Sequence, residues 1–346
     1  MKFKDLPVKS ALSQIRGRVS FEFFEDKFKE QNELSKTKRK TWEGLYVYGT
    51  DGIELILPRT DDICDAGYSG RKVSKYRESY MPKMFVTACY DVISGTVKDI
   101  REHATLNEIA DAHSMVKSLE DNSLSIYDRL YVSRELIQTH DSCHSYFLFR
   151  LRKSCIEELR VIYKTKRKRI AVEVDGITVH VIKIKNPKTG EWDCFASNLP
   201  LRLVKEKTVR KLYTLRWEVE NAFRDFTQTI KLEQWHSKSI NGIRQELYVA
   251  LWLYNLTKLK ILSKFGSAKE CMKETYRKPN FKILFGWVAK NFVQICKGVR
   301  GVWKTFVELI GSTMETRTRH SRAYKREIKS PQSPFPYNNT KWHGLN

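Results

Sequence analysis

The amino-acid sequence predicts a mixed α/β fold in which helices flank a central sheet, and three observations support this. Between residues 43 and 153, five short apolar runs alternate with helical patterns, as in mixed sheets. Residues 154–199 contain closely spaced strand-like runs, which predict an antiparallel β insertion. From Leu201 onward, the apolar residues follow the helical period.

Composition restricts the class of protein. The chain has 346 residues, of which 41% are hydrophobic, and this is enough apolar material for a core. It carries 63 Lys and Arg against 40 Asp and Glu, a formal net charge of +23, which predicts a polyanionic partner. The N-terminus lacks an apolar signal stretch, and no apolar run reaches the length of about 18 residues that spans a membrane. The seven scattered cysteines are typical of reduced thiols, so we expect an intracellular protein.

The first half of the chain predicts helices and then strands. Residues 8–40 have helical spacing, and two strands follow, Leu45–Tyr48 and Ile53–Leu57, separated by Gly49-Thr50-Asp51-Gly52. Three β-branched and aromatic runs predict further strands: Met84–Ile93, Leu124–Tyr127 and Tyr146–Leu151. Helices are expected at Thr105–Leu119 and from Ser133, which suits an N-cap.

The second half predicts the insertion, a helical region and a tail. The insertion has four expected strands: Leu159–Tyr163, Ile170–Val174, Ile177–Ile184 and Trp192–Ala196. Asp175-Gly176 separates two of them and is typical of a hairpin turn. Helices are expected at Val204–Lys231, Ser239–Phe265 and 280–310. The tail from Arg317 is basic and then proline-rich, and we expect it to be poorly ordered.

The most informative segment is the helix predicted around residues 213–231. Tyr213, Arg216, Glu220 and Arg224 are spaced i, i+3, i+7 and i+11, which puts them on one helical face. One interpretation is a solvated stripe with an Arg216–Glu220 ion pair. The other is a functional site, which requires further carboxylates to meet Glu220.

Asp51 and Asp128 are the best candidates for such carboxylates because each follows a predicted strand. Two-metal phosphoryl transfer needs several carboxylates at one point, since hard divalent cations prefer oxygen ligands. Each residue also has a simpler interpretation: Asp51-Gly52 as a hairpin turn, and Asp128-Arg129 as a local ion pair. Five other aspartates compete less well: Asp61, Asp62, Asp65, Asp91 and Asp175.

Four sequence motifs, taken in their order along the chain, resemble those of the DDE transposases of bacterial insertion sequences. The resemblance is specifically to the insertion sequence 4 family with its Tyr-Arg-Glu-Lys signature. The resemblance covers about residues 10–256. The motifs are SALSQIRGRVSFEFFEDKF for the pre-catalytic helices, YGTDGIELILP for the first Asp, IYDRLYVSRELI with YFLFRLR for the second Asp, and CFASNLP with YTLRWEVENAFRDF for the Glu.

The resemblance implies a ribonuclease-H-like fold in which Asp51, Asp128 and Glu220 bind two Mg²⁺ ions, with Mn²⁺ able to substitute. The implied reaction is cut-and-paste transposition: metal-dependent cleavage of DNA at the ends of the element and strand transfer into target DNA. The implied partners are double-stranded DNA, as terminal inverted repeats and target, and a second copy in a homodimer. The implied location is the bacterial cytoplasm or nucleoid.

The resemblance and the charge pattern also indicate which residues would contact DNA. Tyr213 and Arg216 would hold phosphates near the scissile bond, and Arg224 and Lys231 lie on the same helical segment. Trp192 in the insertion would stack on a base or pack against the protein. The basic run of the insertion, called the basic run below, consists of Lys164, Lys166, Arg167, Lys168 and Arg169.

Two departures from the family pattern define the alternatives. Thr227 stands where the family has its Lys, and Asp51 comes early, which predicts an N-terminal segment shorter than in the family. The alternative function is therefore a catalytically decayed, transposase-derived DNA-binding protein. A third possibility is a structure-selective nuclease with the same metal site. The predicted divisions are an N-terminal helical segment (1–42), the first part of the catalytic core (43–153), the β insertion (154–199), core helices with Glu220 (200–265), C-terminal helices (266–316) and the tail (317–346).

Overall fold

The computed structural model describes six stretches of the chain: residues 9–70, 72–74, 77–78, 80–186, 190–265 and 275–318. The tail expected to be poorly ordered lies outside these described residues, apart from Arg317 and Thr318. No helix in the described stretches is long and apolar enough to cross a membrane. The six cysteines among these residues are not paired in disulfides.

The described residues form a central sheet with helices on both sides. The strands are β1 (Tyr46–Ile56), β2 (Lys72–Ser74), β3 (Arg77–Glu78), β4 (Lys83–Asp91), β5 (Thr96–His103), β6 (Ser123–Tyr127), β7 (Tyr146–Arg150), β8 (Arg169–Val174), β9 (Ile177–Lys185), β10 (Trp192–Ser197), β11 (Thr275–Pro279) and β12 (Met314–Thr318). The helices are α1 (Lys9–Arg18), α2 (Glu22–Leu34), α3 (Asp61–Asp65), α4 (Glu108–Val116), α5 (Arg134–Ser142), α6 (Glu157–Lys164), α7 (Glu206–Leu215), α8 (Trp217–Arg224), α9 (Ile240–Phe265), α10 (Phe281–Lys290), α11 (Phe292–Cys296) and α12 (Val302–Ser312). Lys36–Lys38 forms a 3₁₀ turn, and Asp225–Ile230 a π-helical turn.

Eight strands make one mixed sheet in the order β5-β4-β1-β6-β7-β10-β9-β8. The central strands β1, β6 and β7 run parallel, and the strands on both flanks pair antiparallel. This confirms the predicted fold class. The β insertion is not a separate sheet, because β10 pairs directly with β7 and so extends the central one.

The apolar residues of the central strands bury both faces of the sheet, as parallel strands require. On one face, Ile126 and Leu148 pack in a core with Leu212 and Val219 of α7 and α8. On the other, aromatic residues of β6 and β7 pack against α5 and α6: Tyr127, Phe147, Phe149, Leu136 and Leu159. Helices therefore cover the sheet on both sides and hold its central strands in place.

Several local predictions are confirmed. Ser133 caps α5, because its side chain accepts a hydrogen bond from the Leu136 amide. Asp175 and Gly176 form the turn between β8 and β9 with φ values of 50° and 81°, the left-handed geometry of a tight hairpin. Strands β2, β3 and β5 and the β11–β12 pair were not predicted from the sequence.

Two predicted elements of the second half are wrong in detail. Leu159–Tyr163 is not a strand but part of α6, where Leu159 and Ile162 bury one helical face and Glu157 and Glu158 favour the helix N-terminus. The predicted Val204–Lys231 helix is interrupted at Arg216, where the Val219 amide bonds the Arg216 carbonyl three residues back. It then continues as α8 and the π-helical turn.

The third correction concerns Asp51. The sequence predicts two strands separated by a turn at residues 49–52, but β1 is one continuous strand of 11 residues. Asp51 pairs with Ala88 of β4 in the middle of it, so the hairpin-turn interpretation of Asp51-Gly52 is wrong. The two glycines serve close packing rather than a turn, as described below.

Candidate active site

Asp51 and Asp128 lie side by side because of the strand register. Strand β1 pairs with β6 from Tyr46 to Gly49, which faces Ile126. Continuing this register by two residues brings Asp51 opposite Asp128, the first residue after β6. Neighbouring strands are about 4.8 Å apart, so the two aspartates meet where the parallel pairing ends.

Glu220 reaches the same point because α8 packs closely on β1. A Cβ atom on Gly49 would lie 2.5 Å from Cγ2 of Val219, a distance that no side chain could accept. The missing side chain of Gly49 therefore allows Val219 to contact the strand. Glu220, the next residue along α8, is then next to Asp51.

Arg216 joins two of the three carboxylates. Its Nη1 lies 2.9 Å from Oδ2 of Asp51, and its Nη2 lies 2.6 Å from Oε1 of Glu220. Arg216 is 9% exposed, and its buried Nε has no hydrogen-bond partner in the described part of the chain. The ion pair predicted within the helix is present, but the same guanidinium also reaches a strand that is distant in sequence.

The charged groups of the site act on the pKa of Asp51. Burial raises the pKa of Asp51, the Arg216 charge lowers it, and the negative charges of Asp128 and Glu220 raise it further. Arg216 therefore offsets part of the mutual repulsion of the carboxylates. Asp128 is half-buried, and its Oδ1 accepts a hydrogen bond from the Leu130 amide at 2.6 Å.

Within the residues that the structure describes, no three Asp, Glu, His or Cys side chains already stand in a metal-binding arrangement. The positive guanidinium of Arg216 bridges Asp51 and Glu220, which is where a cation between these carboxylates would lie. The donors are all carboxylate oxygens, the ligand type that hard divalent cations prefer. The residues present therefore suit a divalent cation that displaces Arg216.

Glu108, the first residue of α4, also lies near Asp51 and was not predicted from the sequence. Its carboxylate lies over Gly52, where a Cβ atom would come within 2.2 Å of Oε1. The Tyr131 hydroxyl donates a hydrogen bond to its Oε2 at 3.2 Å. Burial and the charges of Asp51 and Asp128 raise the pKa of Glu108, with Tyr131 opposing. No local sequence signal distinguishes this glutamate from any other at a helix start.

Tyr213 and Arg150 lie on the Asp128 side of the site. Tyr213 is half-buried against Phe195, with ring centroids 5.0 Å apart. Burial raises its pKa, while the charges of Arg216 and Arg150 lower it. Arg150 ends β7, is missed by the sequence analysis, and is paired with Asp193 at 2.5 Å. In the sheet register Phe149 faces Tyr127, so Arg150 comes opposite Asp128.

The other candidate DNA contacts are exposed and outside the cluster. Arg224 contacts Asn221, and Lys231 follows the π-helical turn with a left-handed φ of 58°. Trp192 is 45% exposed at the start of β10, with the Lys183 ammonium 5.6 Å from its ring. The basic run from Lys164 to Arg169 is also exposed, between α6 and β8.

The simpler interpretation of Asp128 is not supported, because no Asp128–Arg129 ion pair occurs in the described stretches. Three of the competing aspartates have structural partners elsewhere. Asp62 accepts a hydrogen bond from the Ile240 amide, Asp91 caps the turn after β4, and Asp175 pairs with Arg134.

A family model described as "Transposase DDE domain" matches residues 60–256, which is more than half of the chain. The chain therefore belongs to the transposase DDE domain family, whose members generally use divalent metal ions. The match includes Glu108, Asp128 and Glu220 but begins after Asp51.

The relatives are transposases of Escherichia coli strain K12. The chain is 22% identical over 368 aligned positions to "Transposase InsG for insertion sequence element IS4", covering 94% of this chain and 78% of InsG. It is 25% identical over 161 residues to "Putative transposase InsZ", covering 45% of this chain and 54% of InsZ, so it spans about half of that relative. Among solved structures, a piggyBac transposase synaptic complex with hairpin DNA is a distant neighbour, with a TM-score of 0.41 and 13% identity over 62% of this chain and 46% of that one.

Proposed function

We propose that this chain is a DNA transposase of the insertion sequence 4 type. It would cleave DNA at the ends of its element and join those ends to target DNA, by the cut-and-paste route. One observation carries the proposal: Asp51 and Glu220, distant in sequence, share the buried Arg216 beside Asp128, within a chain of the transposase DDE domain family.

In this proposal Asp51, Asp128 and Glu220 hold two Mg²⁺ ions, or Mn²⁺ in their place. Bound there, the ions would activate the attacking oxygen and stabilise the leaving oxygen of the scissile phosphate. The protein's own contribution is to hold three carboxylates on rigid elements, since one lies within a strand, one directly after a strand and one on a helix. Arg216 neutralises two of them before a cation arrives.

Arg216 and Tyr213 would then hold the DNA backbone. A guanidinium can bond phosphate with two parallel N–H donors, and a cation that displaced Arg216 from Asp51 and Glu220 would free its Nη1 and Nη2 for this purpose. The Tyr213 hydroxyl can donate to a phosphate oxygen, because a tyrosine is protonated at neutral pH and burial raises the pKa of Tyr213 further. Arg150 is a further cation of this kind next to Asp128.

The basic run supplies a path for the DNA beyond the site. Arg169 faces Ile182, which faces Phe195, which faces Arg150, so Arg169 belongs to the same row of the sheet as the aspartates. Five strand intervals separate β1 from β8, about 24 Å, which is less than the roughly 34 Å of one DNA turn. A duplex cleaved at Asp51 can therefore also contact the basic run.

Trp192, Arg224 and Lys231 complete the proposed interface. Trp192 is exposed and already packs with a lysine ammonium, a surface suited to stacking with a base. The proposed substrates are the terminal inverted repeats and the target DNA, and the proposed working form is a homodimer bridging two ends. The proposed location is the nucleoid of a bacterial cell.

The test is nicking of supercoiled plasmid DNA with Mg²⁺ or Mn²⁺. Three variants each remove one charge from the site: Asp51→Asn, Asp128→Asn and Glu220→Gln. We expect each to lower the rate by about 100-fold or more, because each removes a ligand of the metal ions that would stabilise charge on the reacting phosphate. Asp121→Asn, at an exposed turn, is the matched control and should nick like wild type. A Glu220→Gln protein that nicks at the wild-type rate would refute the proposed site.

One observation favours the alternative, a DNA-binding protein without catalysis. Thr227 occupies the position of the family Lys, and its hydroxyl bonds the Phe223 carbonyl inside the helix rather than facing a ligand. In that case wild type would bind DNA with a steep salt dependence but would not nick it with either metal. Recovery of nicking by Thr227→Lys would then identify the lost cation as the cause.

A further inference from the structure

We propose that Glu108 is a fourth carboxylate of this site, directed at the same divalent cation as Asp51 and Asp128 and held in place by Tyr131. This inference rests on the proposed function, because it concerns the same metal site. Glu108 is not part of the carboxylate triad that the sequence predicts.

The first support is steric. Gly52 follows Asp51 in β1, and a Cβ atom there would fall 2.2 Å from Oε1 and 2.5 Å from Cδ of Glu108. The backbone of Gly52 does not have a positive φ, so the glycine is not needed for a turn. What it allows is the approach of the Glu108 carboxylate to β1 next to Asp51.

The second support is the position of the carboxylate. A glutamate in the first turn of a helix commonly interacts with the free amides of that turn. Glu108 instead extends to β1, and one of its oxygens accepts a hydrogen bond from Tyr131. Tyr131 is 1% exposed and its ring packs on Tyr127, with centroids 5.3 Å apart, so the donor is fixed. The hydrogen bond uses Oε2, while the oxygen nearest Gly52 is Oε1.

The third support is the anchoring of α4. Asp111, one turn after Glu108, is 4% exposed and accepts a hydrogen bond from the Thr87 hydroxyl at 2.6 Å. Its other oxygen lies 2.8 Å from Nε2 of His103. Asp111 therefore anchors α4 to β4 and β5, and this sets the distance between Glu108 and β1.

The fourth support is charge balance. The charges of Asp128 and Glu220 raise the pKa of Asp51, and those of Asp51 and Asp128 raise the pKa of Glu108, whereas a single guanidinium bonds Asp51 and Glu220 directly. That guanidinium, on Arg216, is about nine-tenths buried and its Nε is unpartnered. Arg216 neutralises Asp51 and Glu220, and Arg150 is already paired with Asp193, so within the described residues no basic side chain forms an ion pair with Glu108 or Asp128. A divalent cation beside Asp51 and Asp128 supplies the missing charge.

The test measures Mn²⁺ binding directly, by the loss of the free Mn²⁺ signal in electron paramagnetic resonance, on the full chain without DNA. We expect Glu108→Gln to bind Mn²⁺ at least about 10-fold more weakly than wild type, and Tyr131→Phe to be weakened less. Glu135→Gln removes the same charge from the exposed first turn of α5 and serves as the matched control. Melting in EDTA should show Glu108→Gln to be no less stable than wild type, since it loses a repelling charge.

Asp51→Asn separates the two proposals. If Asp51→Asn loses Mn²⁺ binding and Glu108→Gln does not, the metal site exists but Glu108 is no part of it. If neither substitution changes binding, the proposed function itself is refuted.

A double-substitution cycle gives a second readout. Gly52→Ala should displace the Glu108 carboxylate and weaken Mn²⁺ binding in the wild-type background. In the Glu108→Ala background the same change should have little further effect, because the two substitutions act on one contact. Equal effects of Gly52→Ala in both backgrounds would overturn the steric argument.

Discussion

Replacing Arg216 with alanine tests the idea that its guanidinium stands where a cation binds. The substitution leaves Asp51 and Glu220 without their shared partner. Breaking a fully buried pair costs about 3–5 kcal/mol, and an exposed pair is worth at most about 1 kcal/mol. The Asp51 side chain is 26% exposed and that of Glu220 is 34% exposed, so an intermediate loss of about 2–3 kcal/mol is expected.

The assay is urea unfolding of wild type and Arg216→Ala, each in EDTA and in excess Mg²⁺. In EDTA the unfolding free energy of Arg216→Ala should be lower than that of wild type by the full amount of about 2–3 kcal/mol. In excess Mg²⁺ the variant should recover most of this lost stability, because the cation binds the carboxylates of the folded protein without first displacing a guanidinium. Its affinity for Mn²⁺ should accordingly exceed that of wild type.

Arg224→Ala is the matched control, since Arg224 is an exposed arginine two turns along the same segment. Its stability should stay within about 0.5 kcal/mol of wild type in both buffers. The reasoning would be refuted by an Arg216→Ala protein that is equally destabilised with and without Mg²⁺. That result would assign Arg216 a packing role alone.

Three further predictions concern the core, the packing of α8 and the DNA interface. Burial, and secondly His113, lowers the pKa of His140 to about 3. The unfolded chain takes up this proton near pH 6.5, so stability falls as pH drops below that value, by about 3 kcal/mol at pH 4.5. His140→Gln should make urea unfolding less dependent on pH over this range, and an unchanged dependence would contradict the assignment. Gly49→Ala should cost about 1–3 kcal/mol through its clash with Val219 and should weaken Mn²⁺ binding. Gly49→Ala combined with Val219→Ala should recover part of the lost stability and part of the lost Mn²⁺ affinity. If neither recovers, the added methyl group does not clash with Val219. Changing all five cations of the basic run to glutamine should reduce the salt slope of DNA binding by about 4–5, and an unchanged slope would exclude them as phosphate contacts.

The local structure around Asp128 and Glu220 could be predicted from the sequence because its signals come from neighbouring residues. Asp128 directly follows a short apolar strand, and the structure has that strand at Ser123–Tyr127. Glu220 and Arg216 are one turn apart on a helical face, and they form the expected ion pair. Helical spacing and strand ends can be identified without knowledge of the rest of the fold.

Asp51 lies in the same cluster as Glu220 and Asp128, but the turn that the sequence predicts around it is wrong. Its neighbours Gly49 and Gly52 are typical of a turn, and in an isolated peptide a turn would be favoured. In the folded chain each glycine accommodates a side chain from a helix, Val219 on one face and Glu108 on the other. Such tertiary contacts leave no signal in neighbouring residues, which is also why Glu108 and Arg150 were missed.

The central position of β1 determines which truncated fragments of the protein can fold. Strand β1 lies between β4 and β6 and is hydrogen-bonded to both. A truncated chain starting at residue 60, where the family match begins, would lack the strand that joins the two halves of the sheet. Its β4 and β6 would each expose an unpaired edge, and such edges promote aggregation. The smallest soluble fragment must therefore begin before Tyr46, and proteolytic trimming should stop upstream of that strand.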